Sequence, residues 1–138
     1  MSGVELIIHS GDIGSPEVLE GLRAVAPVVA VRGNNDRGAW AAHLPPTEVL
    51  EVGGVTLYVL HDLGELDLDP SAAGFDAVIA GHSHRPKVET RKGVLYVNPG
   101  SAGPRRFSLP IAVARIDVAD ARVSGRIVEL RPEGAANP

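Results

Sequence analysis

The first 36 residues restrict the fold more than any other stretch of the chain. Residues 4–9 (VELIIH) form a short apolar run ended by Ser10, Gly11 and Asp12, which reads as a buried strand entering a glycine turn. Ser15 is placed as an N-cap with Pro16 at the first helical position and Glu17 and Glu20 close behind, so a helix is expected over residues 16–25. Pro27 stops it. Val28 to Val31 is continuous and β-branched, and Gly33 breaks it before Asn34, Asn35 and Asp36. A strand, a helix and a strand, with each strand closing on a glycine beside an Asp or Asn, is the grammar of a parallel sheet covered by helices.

From Thr47 the pattern changes. Two β-rich runs, 47–52 and 55–60, are separated by Gly53 and Gly54, a dipeptide suited to a two-residue hairpin turn, and a second sheet is expected to begin here. A short helix is expected over 39–43, and a second one opening on Asp69 as cap and Pro70 as first residue. Phe75 to Ala80 reads as a buried strand running into the turn Gly81-His82-Ser83-His84. Residues 88–91 and 94–97 make another hairpin through Lys92 and Gly93, and 98–104 (NPGSAGP) a rigid loop. The runs 111–117 and 122–130 alternate apolar with polar residues, as half-exposed antiparallel strands do. Residues 1–130 are expected to form a single domain and 131–138 a frayed tail.

The polar residues of the chemistry fall at four strand ends: Asp12, Asn34, His61, and the pair His82 and His84. Open α/β sheets place their sites at such ends. A carboxylate, an amide oxygen and imidazoles form a mixed oxygen and nitrogen donor set suited to Mn²⁺, Fe²⁺, Ni²⁺, Co²⁺ or Zn²⁺, and less suited to Ca²⁺. With no cysteine in the sequence, thiolate zinc and iron–sulfur sites are excluded. His9 is read as a packed or hydrogen-bonded strand residue. A formal charge of -4 opposes broad adhesion to nucleic acid or to an anionic membrane, although Arg32, Arg37, Arg85, Arg105 and Arg106 lie near the polar strand ends in sequence. Apolar runs of about six residues are far short of a membrane span, and the expectation is a cytoplasmic protein.

Ser10 to Ile13 (SGDI), Gly33 to Asp36 (GNND), His61-Asp62, Gly81 to His84 (GHSH) and Asn98 to Ser101 (NPGS) follow the order and approximate spacing of the calcineurin-like metallophosphoesterases, and most closely resemble the small bacterial and archaeal phosphodiesterase subfamily. The resemblance runs from about residue 4 to residue 118. It implies a four-layer α/β/β/α sandwich of two mixed sheets and in-line attack on phosphorus by an activated hydroxide, with a small or nucleotide-like phosphodiester as substrate. By position, Asp12 would bridge two metals, Asn34, His61 and His82 would complete one site, and His84 would belong to the other. Mn²⁺ is the metal first expected. Asp12, Asn34 and His82 are carried over as the catalytic set. Asn35, Asp36, Asp62, Asn98, Ser101 and Arg105 are expected to support the ligands or meet substrate. Asn35 stands where larger members have a His thought to protonate the leaving group, which favours substrates whose leaving group needs little help.

The family opens on a strand ending in Asp, any residue, His, and the sequence contains no such motif. Five of seven family ligands are therefore matched, and the chain is expected to lack the family's first strand. The site of His82 is expected to be complete and occupied, and that of His84 weak or empty unless the segment is supplied. The sheet slot so left raises the expectation of a homo-oligomer. A second expectation is a non-catalytic or weakly active metal-binding scaffold with this fold, similar in that respect to the retromer subunit of the superfamily.

Overall fold

The structure, a computed structural model, describes residues 5–11, 13, 16–33, 36, 38–81, 86–99 and 112–129. Strand β1 (Ile7–His9), helix α1 (Pro16–Arg23) and strand β2 (Val28–Ala30) form the expected unit, with β1 and β2 parallel and Ile8 opposite Val29. After a 3-10 turn at Ala41–His43 come β3 (Thr47–Val52) and β4 (Val55–Leu60), antiparallel across the Gly53-Gly54 loop. A 3-10 turn at Leu63–Glu65 and helix α2 (Pro70–Ala73) lead to β5 (Ala77–Ile79). Hairpins β6 (Lys87–Arg91) with β7 (Val94–Asn98), and β8 (Ala112–Ala119) with β9 (Arg122–Glu129), complete the described elements.

The fold is mixed α/β with several sheets, as expected. Among the described residues the strands form one five-stranded sheet in the order β3-β4-β5-β7-β6, the parallel pair β1-β2 and the hairpin β8-β9. In the large sheet β4, β5 and β7 run parallel, with an antiparallel strand at each edge.

Alternation along β4 shows why it is central. Val55, Leu57 and Val59 join Ala77, Ile79, Leu95 and Val97 in one cluster, which Ile8 of β1 and Ala114, Ile116, Val118 and Val123 of the last hairpin pack against. Tyr58 and Leu60 join Val78, Ala80 and Val94 in a second cluster, covered by Leu63, Leu66, Phe75 and Tyr96. The sheet is thus covered on both faces, which is why its middle strands read as continuous apolar runs. Each such valine or leucine contributes roughly 1.5–3 kcal/mol by burial.

Several boundaries differ from expectation: β1 begins at Ile7, β2 ends at Ala30, and the helix expected over 39–43 is a 3-10 turn at Ala41–His43. Helix α1 ends at Arg23 instead of 25, and the chain turns with the Val25 and Ala26 amides both donating to the Leu22 carbonyl. Strand β5 starts at Ala77 because Phe75 serves other contacts: its amide closes α2 by bonding the Pro70 carbonyl, and its ring stacks on Tyr58 at 4.9 Å. The last hairpin turns tightly at Asp120-Ala121, where both residues adopt positive φ (54° and 57°). The Ser15 cap, the loop beyond Pro99 and the tail lie outside the described residues. Among the described residues no helix is long and apolar enough to cross a membrane.

Candidate metal centre

Parallel pairing brings strand ends of the same polarity to one side of the molecule: Ser10-Gly11 after β1, Arg32-Gly33 after β2, His61 after β4, Gly81 after β5 and Asn98 closing β7. A chain of hydrogen bonds ties these ends together across two sheets. The His61 ring, only 6% exposed, places Nδ1 at 2.8 Å from the Ser10 carbonyl oxygen. The Gly81 amide donates to the His61 carbonyl at 2.8 Å, and the Asn98 side-chain amide donates to the Gly81 carbonyl at 3.0 Å.

The His61 bond decides the chemistry of the ring. A carbonyl can only accept, so Nδ1 carries a proton, and in the neutral ring Nε2 then carries the lone pair. A metal-ligating histidine is typically anchored in this way, its second nitrogen donating to a backbone carbonyl, which fixes both tautomer and ring orientation. In its neutral form His61 therefore presents Nε2 as the atom that could ligate a metal.

Asp36, 5% exposed, uses both carboxylate oxygens on backbone amides. One carboxylate oxygen accepts the Ile13 amide at 2.7 Å and the other accepts the Gly33 amide at 2.8 Å. The side chain is a brace between the loop after β1 and the loop after β2. Asp62 caps the 3-10 turn that follows it by accepting the Gly64 amide at 2.9 Å. Asn98 pins the Gly81 turn.

Two glycines admit this convergence. A Cβ on Gly11, whose φ is +103°, would stand 2.6 Å from His61 Nδ1 and 2.9 Å from the Gly33 backbone. On Gly81 it would stand 2.9 Å from Ser10 Oγ. Backbones from three strand ends crowd the anchored imidazole, and no side chain fits between them.

Asp12, Asn34, Asn35, His82, His84, Ser101 and Arg105 lie outside the described residues. Among the described residues no three His, Asp or Glu side chains gather as a metal would require. The structure accordingly brings together His61 and the supporting groups Asp36, Asp62 and Asn98. The tests of fit to a divalent metal are the tautomer of His61 and the donor chemistry of the matched set, and both agree with it. Sequence reasoning missed the Ser10 carbonyl as the anchor, since a backbone acceptor leaves no residue-type signal.

A cleft of about 330 Å³ opens beside this end of the sheet, with Asp62, Gly81, Asn98, Lys87 and Tyr96 among its walls. On its rim Glu89 is held between Arg91 and Lys87, and the hydrogen bond from Arg91 is the main reason its carboxyl sits below the usual range.

Residues 1–121 match the calcineurin-like phosphoesterase superfamily domain. A probable metallophosphoesterase of Methanocaldococcus jannaschii is 35% identical over 127 residues, which cover 86% of this chain and 64% of that protein. The chain thus spans somewhat less than two thirds of that relative's length. Among solved structures, Vps29 of Chaetomium thermophilum is similar at a TM-score of 0.82 and 22% identity, over 97% of this chain and 77% of that one. Vps29 of Entamoeba histolytica, solved in complex with Zn²⁺, is similar at a TM-score of 0.70 and 21% identity, over 91% and 82% of the two chains. These two likenesses concern the fold. The match over residues 1–121, made by a chain whose strand ends converge on an anchored histidine, shows that it belongs to the calcineurin-like phosphoesterase superfamily.

Proposed function

We propose that the chain is a metal-dependent phosphoesterase acting on small or nucleotide-like phosphodiesters, with His61 joined by Asp12, Asn34 and His82 in one site and His84 serving a second. The observation that carries this reading is the bond from His61 Nδ1 to the Ser10 carbonyl, which anchors the ring at a strand end in the way a metal-ligating imidazole is anchored. A divalent metal at such a site supplies a Lewis acid that activates water near neutral pH and offsets charge on a phosphoryl group. Mn²⁺ is the first choice, with Zn²⁺, Fe²⁺, Co²⁺ and Ni²⁺ suited to the same donors.

The chain's own residues set the geometry. His61 supplies an imidazole in one tautomer, Asp36 holds two of the loops at a fixed separation, and Asn98 keeps Gly81 in place ahead of His82. The adjoining cleft has the size and mixed lining to take the organic part of a small ester.

The test is hydrolysis of bis(p-nitrophenyl) phosphate by purified protein titrated with Mn²⁺. Turnover that follows metal loading and is lost in both His61→Ala and His82→Ala supports the proposal. Metal binding with no turnover of any activated ester would instead identify a metal-binding scaffold, and no metal binding at all would remove the site assignment.

A further inference from the structure

One peptide unit joins two histidines. The Gly11 amide donates to His9 Nδ1 at 3.2 Å, and the Ser10 carbonyl lies 2.8 Å from His61 Nδ1. Gly11 N–H and Ser10 C=O belong to the same planar peptide group. The two bonds therefore form a continuous relay from the His9 lone pair, through the Ser10-Gly11 amide, to the His61 N–H.

Donor and acceptor roles are fixed at every link. A backbone N–H can only donate, so His9 accepts at Nδ1 and, as a neutral ring, carries its proton on Nε2. A carbonyl can only accept, so His61 donates from Nδ1. Rotating the peptide plane would break both bonds together. Holding it matters here, because Gly11 sits at φ +103°, and the space a Cβ would take there is filled by the His61 ring and the Gly33 backbone. Glycine has many other conformations open to it, and the bond to His9 selects this one. Accepting the N–H also polarises the amide, which makes its carbonyl the stronger acceptor for His61.

We propose that His9, acting through the Ser10-Gly11 peptide, is a positioning residue of the metal centre that fixes the tautomer and orientation of His61. The proposal rests on the reading of His61 as a ligand for its effect on metal, but not for its effect on the ring. The proposal assigns His9 to the relay and not to the ligand set.

The experiment compares wild type, His9→Asn and His9→Leu by ¹⁵N NMR of the histidine rings without metal, and by calorimetric titration with MnCl₂. Asparagine offers Oδ1 to the amide two residues on, as in an Asx turn, and so keeps the acceptor. Leucine removes it at similar bulk. In wild type, His61 is expected as a single tautomer protonated on Nδ1, with His9 protonated on Nε2. His9→Leu is expected to give His61 as a mixture of tautomers and to weaken Mn²⁺ binding about tenfold, the lower end of what loss of an outer-shell partner costs. His9→Asn is expected to keep the single tautomer and to bind within about threefold of wild type, since its acceptor is retained.

A His9→Leu protein with wild-type tautomer and affinity overturns the proposal, as does an Asn variant that fails as badly as Leu. If the Leu variant does not fold, the wild-type spectrum still decides, because a His9 ring protonated on Nδ1 excludes the relay. A His61 tautomer that responds to His9 in a protein that binds no Mn²⁺ keeps the relay and refutes only the ligand reading.

Discussion

Replacing Asp36 by Asn tests the brace between the loops after β1 and β2. The carboxylate accepts two amides, from Ile13 at 2.7 Å and Gly33 at 2.8 Å, while only 5% exposed. Asparagine keeps one acceptor and turns its NH₂ group toward the other amide, so one charge-assisted bond is lost and two donors face each other. A bond to a charged group contributes roughly 1.5–3 kcal/mol, and an amide left unsatisfied in a buried place costs about 1–3 kcal/mol. These figures describe largely the same loss, so Asp36→Asn is expected to cost about 3 kcal/mol and Asp36→Ala, which strands both amides, about 4 kcal/mol. With a urea m value of about 2 kcal/mol/M, the Asn variant should unfold about 1.5 M earlier than wild type. Because the braced loops are those that flank Asp12 and Asn34 in sequence, Mn²⁺ affinity should fall by at least tenfold in a variant still folded at 15 °C. An unfolding midpoint for Asp36→Asn equal to that of wild type would refute the reasoning, because a buried carboxylate with two short bonds cannot be replaced without cost if those bonds exist.

Gly11→Ala should be more severe than an ordinary glycine replacement, since strain at φ +103° is joined by a 2.6 Å approach to His61 Nδ1. We expect a loss of about 3 kcal/mol or more, read by thermal melting, together with loss of metal binding. Wild type should melt higher in Mn²⁺ than in EDTA, by about 2.7 kcal/mol of added stability at a hundredfold excess over Kd, and His61→Ala should abolish most of that difference. Asn98→Leu removes the donor to the Gly81 carbonyl and should lower stability by about 1 kcal/mol, by urea titration.

Local chemistry made much of the fold legible. The two-residue loops Gly53-Gly54 and Lys92-Gly93 located two hairpins and their register, because a tight turn fixes which residues face each other. Asp69 does cap α2, accepting the Ser71 and Ala72 amides. The tight turn at Asp120-Ala121 was not legible, since neither residue is the glycine that such a backbone normally selects. Sheet order was also hidden: that β7 lies between β5 and β6 depends on packing across the core and leaves no local trace. At the site, residue type and strand-end position pointed to His61, and the family resemblance pointed to Asp36, Asp62 and Asn98. The task of Asp36 was only half visible, because its bond to Gly33 is three residues away but its bond to Ile13 spans 23. The roles of Ser10 and Gly81 were invisible, being carried by backbone atoms that every residue has.

The bond between His61 and Ser10 ends on strands that belong to different sheets. The centre is therefore a gauge of how one sheet sits on the other. A hydrogen bond of 2.8 Å does not survive a slip of about 1 Å, so a change deep between the sheets, such as one at Val59 or Ile79, is transmitted to the imidazole without touching it. Metal affinity in this protein should follow the fit of its interior as closely as it follows the identity of its ligands.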